Sequence, residues 1–193
     1  MTDIQDQKTI KAKFNAAVYA GSFAPITKGH HDIILQAAKM FERLYIVVGV
    51  NASKKPLFDQ GERIKMIEKD VKTHIQPKLK KAGIDCEIIV TAHKGATARF
   101  MAEHDAPYYV RGLRLATEFD GESTLVRNSQ RIYKDFTPVL FMSSDAHLET
   151  VSSSAARELA RLGEDKALGE ILSVNVKKKL IKRMDDLGLR IKP

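Results

Sequence analysis

Tryptophan is absent from the 193 residues and cysteine occurs once, at Cys86. A single thiol excludes an intramolecular disulfide and provides no metal-ligand spacing, so a reducing compartment is expected, the cytoplasm by default. Long apolar runs are also lacking: the longest, from Leu44 to Val50, is far shorter than a bilayer demands. The opening stretch MTDIQDQKTIKAK mixes acids and amides with no apolar centre, which argues against a secretory signal and predicts a flexible tail over residues 1–13. No internal repeat, low-complexity tract or interdomain linker is visible. The expectation is one domain over residues 14–172, with residues 173–193 forming a C-terminal helix and tail packed on it.

Charge, by contrast, is plentiful and unbalanced. Lysine and arginine number 32 against 24 acids, a formal net charge of +8, within a composition that is 44% hydrophobic and 29% charged. That composition is globular, and the excess asks for an anionic partner: nucleic acid, a membrane surface or a small polyphosphate. Part of the excess lies in NVKKKLIKRM, where Val176, Leu180 and Ile181 fit one helical face and the lysines its solvated side. Without a base-stacking aromatic motif or an apolar anchor, neither nucleic acid nor a membrane is the expected partner.

Runs rich in β-branched and aromatic residues recur at Ala16 to Tyr19, Leu44 to Val50, Glu87 to Thr91, Tyr108 to Arg111 and Val139 to Met142. They predict five buried strands. Helical patterns separate them: His30 to Phe41, Gln60 to Leu79, Thr97 to His104 and Thr117 to Tyr133, with two more at Ser153 to Leu162 and about Ser173 to Leu187. In the second, Ile64, Ile67, Val71 and Ile75 share a face. Alternating strands and helices imply an α/β fold, a Rossmann-like doubly wound parallel sheet of five strands covered on both faces. Ligands of such sheets bind at the carboxyl ends of the strands, where strand order reverses, so the loops after the first and fourth strands are the places to seek chemistry.

The first strand runs into GSFAPITKGHHDIILQAAKMF, whose two glycines and proline precede a helix opening near His30. Glycine allows a backbone to approach an oxygen cluster, and a helix N-terminus aims N–H groups and a positive dipole end at the same anion. His30 stands where its imidazole is expected to come within reach of a phosphate oxygen.

The segment GSFAPITKGH resembles the TxGH form of the HxGH signature of the nucleotidyltransferase superfamily. Three further stretches, NASKKPLFDQGERIKMI, YYVRGLRLATEF and VSSSAARELARLG, resemble the SKKP, RGLR and ISSS segments of the bacterial phosphopantetheine adenylyltransferases, in that family's order. The resemblance spans Val18 to Gly163 and implies in-line attack by the 4′-phosphate of phosphopantetheine on the α-phosphate of ATP, releasing pyrophosphate. Such chemistry needs positioned anions and neutralised charge rather than a covalent intermediate.

The resemblance implies catalytic roles for His30, Lys54 and Arg111. It implies an ATP site formed by Ser22, Phe23, His30, Gly112, Arg114, Glu122, Ser152, Ser153 and Ser154, and an acceptor site formed by Ser22, Lys54, Arg111, Ala96 and Thr97. Mg²⁺ is expected on the polyphosphate, held mainly by substrate and water. A homo-oligomer, a hexamer in that family, and feedback by coenzyme A are implied too. The chain departs from the family pattern where Ala24 replaces an aspartate, Gly121 a tyrosine and Ser129 an asparagine, and where SSDAHLET replaces the usual adenine-pocket stretch. Two alternatives therefore stay open: a related nucleotidyltransferase with another acceptor such as nicotinate mononucleotide, and a homologue that binds nucleotide without turnover.

Overall fold

The computed structural model describes residues 14–49, 57–113 and 118–191, with residues 118–122 described by their backbone. Five strands, β1 (Phe14–Gly21), β2 (Phe41–Gly49), β3 (Glu87–His93), β4 (Tyr108–Leu113) and β5 (Thr137–Met142), form one sheet in the order β3-β2-β1-β4-β5. Every pairing is parallel. The expected doubly wound α/β architecture is what the chain adopts, and each of the five apolar runs became a strand.

Side-chain alternation explains why both faces are covered. From β1 and β2, Ala17, Tyr19, Leu44, Ile46 and Val48 point into one core cluster. Their neighbours Ala16, Val18, Ala20, Tyr45 and Val47 point into the other. The first cluster is closed by α1 (Lys28–Ala38), α2 (Gln60–Asp70), α6 (Ser153–Leu162), α7 (Asp165–Ile171) and α8 (Val174–Asp186), through Ile34, Ile67, Ala156, Leu168, Val176 and Leu180. The second is closed by Ala98, Phe100 and Met101 of α4 (Thr97–Glu103), by Phe136 and by Val126 of α5 (Glu118–Gln130). Burying one such side chain is worth about 1.5–3 kcal/mol, so these two layers dominate the stability.

The helices differ from the sequence expectation at several points. The first helix stops at Ala38 rather than Phe41, because Phe41 starts β2, pairs with Phe14 and packs its ring 5.4 Å from that of Tyr108. The helix expected from Gln60 to Leu79 is broken by a wider π turn at Val71–Ile75, with α3 (Gln76–Lys81) following. Pro77 has no N–H to give the carbonyl four residues back, and the chain widens so that Gln76 N–H donates to Val71 five residues back. Ile67, Val71 and Ile75 nevertheless stay buried on one face. Helix α7 and the short 3₁₀ turn Ala146–Leu148 were not expected. Gly163, at φ +80°, ends α6 in the left-handed conformation that glycine tolerates.

The C-terminal helix is tied to this core by more than apolar contact. Asp70, fully buried at the end of α2, accepts hydrogen bonds from Ser173, the N-cap of α8, at 2.8 Å and from His31 Nε2 of α1 at 2.8 Å. One carboxylate thus joins three helices. Among the described residues no helix is long and apolar enough to cross a membrane.

Two outcomes follow. Asp70→Ala leaves His31 and Ser173 buried without their partner and is expected to lower stability by about 1–3 kcal/mol for each; an unchanged urea midpoint would refute this. Burial first, then Asp85 and Glu87, push the Cys86 thiol up to about 12. Alkylation by iodoacetamide at pH 8 should therefore be much slower in the folded protein than in urea, where an ordinary thiol near 8.5 is partly ionised. Equal rates would show that the thiol is not desolvated.

Candidate active site

Because β2 and β4 flank β1 on opposite sides, the loops leaving β1 and β4 diverge and open a cleft at the carboxyl edge of the sheet. The cleft has a volume of about 1030 Å³ and holds Ser22, Phe23, His30, Arg111, Gly112, Ser152, Ser153 and Ser154 along its walls. These residues, expected from three separate motifs, are brought together by the fold. Lys54 and Arg114 lie outside the described residues. Glu122 falls within α5, where the backbone alone is described.

The loop from β1 to α1 is built around Phe23. This residue is buried at φ +43°, a strained conformation for a side chain of its size. Its ring centroid lies 5.0 Å from that of His30. Gly21 makes room for it, since a Cβ there would stand 3.2 Å from the Phe23 ring. Helix α1 opens with a reciprocal cap: Thr27 Oγ1 accepts from the His30 backbone N–H at 3.5 Å, and His30 Nδ1 accepts from the Thr27 backbone N–H at 3.0 Å. A backbone N–H has only a proton to offer, so Nδ1 is the acceptor and the neutral ring carries its hydrogen on Nε2. The cap therefore sets both the position and the tautomer of His30.

The opposite wall is the N-terminus of α6. Ser152 Oγ is the N-cap, accepting from Ala155 N–H at 3.0 Å, while Ser153 Oγ donates to the Pro25 carbonyl at 2.7 Å. Arg157 donates to the Ala24 carbonyl at 2.6 Å and to Ser154 Oγ at 3.0 Å. The loop that carries Ala24 in place of an acid is thus held through its own carbonyls by α6. Two helix N-termini, of α1 and α6, converge on one space and favour negative charge there.

The walls add to that field. Arg111, at the end of β4, reaches the Ala20 carbonyl at 3.5 Å and lies over the Tyr109 ring. Arg63, Arg157 and His30 also line the cleft, and Asp59 is the one acid among its described lining residues. Gly112 has a packing duty: a Cβ there would fall 2.9 Å from Ile33 Cγ1, so glycine lets β4 lie close beneath α1. Asp32 accepts from Ser144 N–H at 2.9 Å and from the Ser144 hydroxyl, fixing the turn after β5 against α1.

Sequence reasoning missed Arg63, Arg157 and Asp32. For Arg63 a signal was available: it stands four residues before Ile67, on the buried face of α2, where a cation needs a reason. Arg157 likewise lies one turn inside the serine-rich helix start. Ala96 and Thr97 do not join the main cleft. They line a neighbouring depression of about 480 Å³ with Tyr109, Leu125, Asn128, Ser129 and Phe136.

Comparison with known proteins places these motifs in context. The profile of the cytidylyltransferase-like family matches residues 18–159. The phosphopantetheine adenylyltransferase of Syntrophomonas wolfei is 34% identical over 168 residues, covering 87% of this chain and 96% of the relative. That of Sphingopyxis alaskensis is 34% identical over 173 residues, covering 90% and 95%. Among solved structures, the nicotinic acid mononucleotide adenylyltransferase of Plasmodium falciparum superimposes with a TM-score of 0.60 at 17% identity, over 91% of this chain and 96% of that one. This last likeness is one of fold.

Gly112→Ala is expected to cost about 1–3 kcal/mol by driving Ile33 aside. Combining it with Ile33→Ala, which removes both Cγ1 and Cδ1, should cost less than the sum of the two single changes, because they share one contact. Additive losses in chemical denaturation would show that the close approach is not the cause.

Proposed function

The chain belongs to the cytidylyltransferase-like family, and from that premise we propose that it is an adenylyltransferase moving AMP from ATP to 4′-phosphopantetheine, giving dephospho-coenzyme A and pyrophosphate. The observation that carries the reading is the convergence of His30, Ser22, Arg111 and the α6 N-terminus on one cationic cleft. An oxygen of the acceptor phosphate attacks the α-phosphorus, the bond to the β-phosphate oxygen breaks, and pyrophosphate leaves with the charge.

In this reading His30 presents Nε2–H to the α-phosphate, where charge builds in the transition state. Ser22, Arg111 and Lys54 hold the acceptor phosphate, the last from outside the described residues. Phe23 seats the His30 ring, and Gly112 brings β4 beneath α1 at the nucleotide. Arg114 and Glu122 keep their proposed roles toward ATP. The backbone N–H groups at the start of α6, near Ser152, Ser153 and Ser154, receive the departing pyrophosphate. The depression with Ala96 and Thr97 takes the pantetheine arm; Asn128 and Ser129 both line it, so the one-residue offset from the family pattern leaves an amide at that wall.

Mg²⁺ completes the proposal. The cleft's described lining holds one carboxylate, Asp59, whose Oδ1 already caps α2, a donor set suited to a metal that arrives on polyphosphate oxygens and keeps its waters. Its contribution is to neutralise those oxygens. The proposal extends to a cytoplasmic homo-oligomer, a hexamer, with feedback by coenzyme A. Exposed Leu140 and Met142 on the edge strand β5 support an assembly surface.

The test is pyrophosphate release from ATP and Mg²⁺ with 4′-phosphopantetheine or nicotinate mononucleotide. Release is expected with phosphopantetheine, and His30→Ala should lower kcat about 100- to 1,000-fold, as losing a charge-stabilising donor does. Release with nicotinate mononucleotide alone would transfer the reading to that acceptor. ATP binding without release would mark a homologue that has lost turnover.

A further inference from the structure

Arg63 is among the least exposed charged groups of the chain, at 4% relative exposure. It lines the cleft beside Ser22, Gly49 and Asp59. Its Nη1 donates to the Ser22 carbonyl at 2.7 Å and the Gly49 carbonyl at 3.2 Å, and its Nε to the Asp59 carbonyl at 3.3 Å. One guanidinium therefore joins the end of β1, the end of β2 and the cap of α2. All three partners are neutral carbonyls, and among the described residues no carboxylate forms an ion pair with it.

That arrangement is costly unless something else completes it. Guanidinium does not shed its proton at ordinary pH, and an unpaired buried charge is expensive. Burial lowers its pKa, with Asp59 opposing through space. Among the described residues, the acids nearby are engaged elsewhere. Asp59 Oδ1 accepts from Glu62 N–H at 2.8 Å, and Glu62 pairs with Arg183 of α8, which also donates to the Leu57 carbonyl at 2.8 Å. The C-terminal helix thereby takes up the Glu62 carboxylate.

We propose that Arg63 is a further phosphate-binding residue of this cleft, its guanidinium serving the anionic end of the acceptor beside Ser22. The inference rests on the proposed reaction for the identity of the acceptor; the anion site itself does not. The remaining terminal nitrogen, Nη2, accepts no assignment to a protein oxygen among the described residues and supplies the donors for that phosphate. Arginine suits the task, since its planar fork bonds carbonyls with one edge and an oxyanion with another.

The test uses full-length Arg63→Gln and Arg63→Lys. In Arg63→Gln the KM for phosphopantetheine should rise about 10- to 100-fold, the loss of a charge-assisted bond, while the KM for ATP stays within about twofold. Arg63→Lys, keeping the charge, should recover part of the rise. The stabilisation of the wild-type thermal midpoint by inorganic phosphate should be lost in Arg63→Gln. An unchanged acceptor KM, or both KM values rising together with phosphate protection intact, would overturn the proposal and leave Arg63 a brace. If Arg63→Gln does not fold, Arg63→Lys decides by the same split. If the wild type does not use phosphopantetheine, the proposed reaction falls, and the phosphate protection still decides the site.

Discussion

The constraint on which the rest depends is the reversal of strand order at β1. Neighbours on its two sides belong to different parts of the chain, β2 following it directly and β4 arriving some ninety residues later. No crossover helix can cover the gap between the two diverging loops, so a crevice at that edge is unavoidable. The described residues that line the cleft are arranged around it. The strained turn at Phe23 and the cap that fixes His30 lie on one side, and the start of α6 on the other. Arg111 rises from the floor.

The site is held by backbone carbonyls to an unusual extent. Arg63 grips Ser22 and Gly49, Arg157 grips Ala24, and Ser153 grips Pro25. Cations bonded to carbonyls keep their charge for a ligand, whereas cations paired with carboxylates would spend it on the protein. Among the described residues, the acids nearby are occupied: Asp59 by a cap, Glu62 by Arg183, Asp32 by Ser144. The field in the cleft thus follows from how side chains are paired more than from the formal charge of +8.

The same economy links the C-terminal helix to the cleft. Helix α8 contributes apolar side chains to the core, its cap serine to buried Asp70, and Arg183 to the entrance of α2. His31, the other partner of Asp70, is the neighbour of His30 on α1. Movement of α8 would therefore be felt at two elements of the site through rigid, buried contacts rather than along an extended chain of weak ones.

The sequence by itself determined the alternation of strands and helices, the two-faced burial of β1 and β2, and the four motifs, because period-two and helical patterns and phosphate-loop residues are local properties. It placed Ser22, His30, Arg111 and the serines near strand ends and helix starts. The break at Val71–Ile75 was also local, written in Pro77. Only the tertiary structure decided that these motifs meet, and that Ala96 and Thr97 face a separate depression. It also decided which cations keep their charge. Nothing near Arg63 in sequence shows that Glu62 is claimed by Arg183, 121 residues away, since the pairing of buried charge is settled by what packs alongside and not by what is adjacent along the chain.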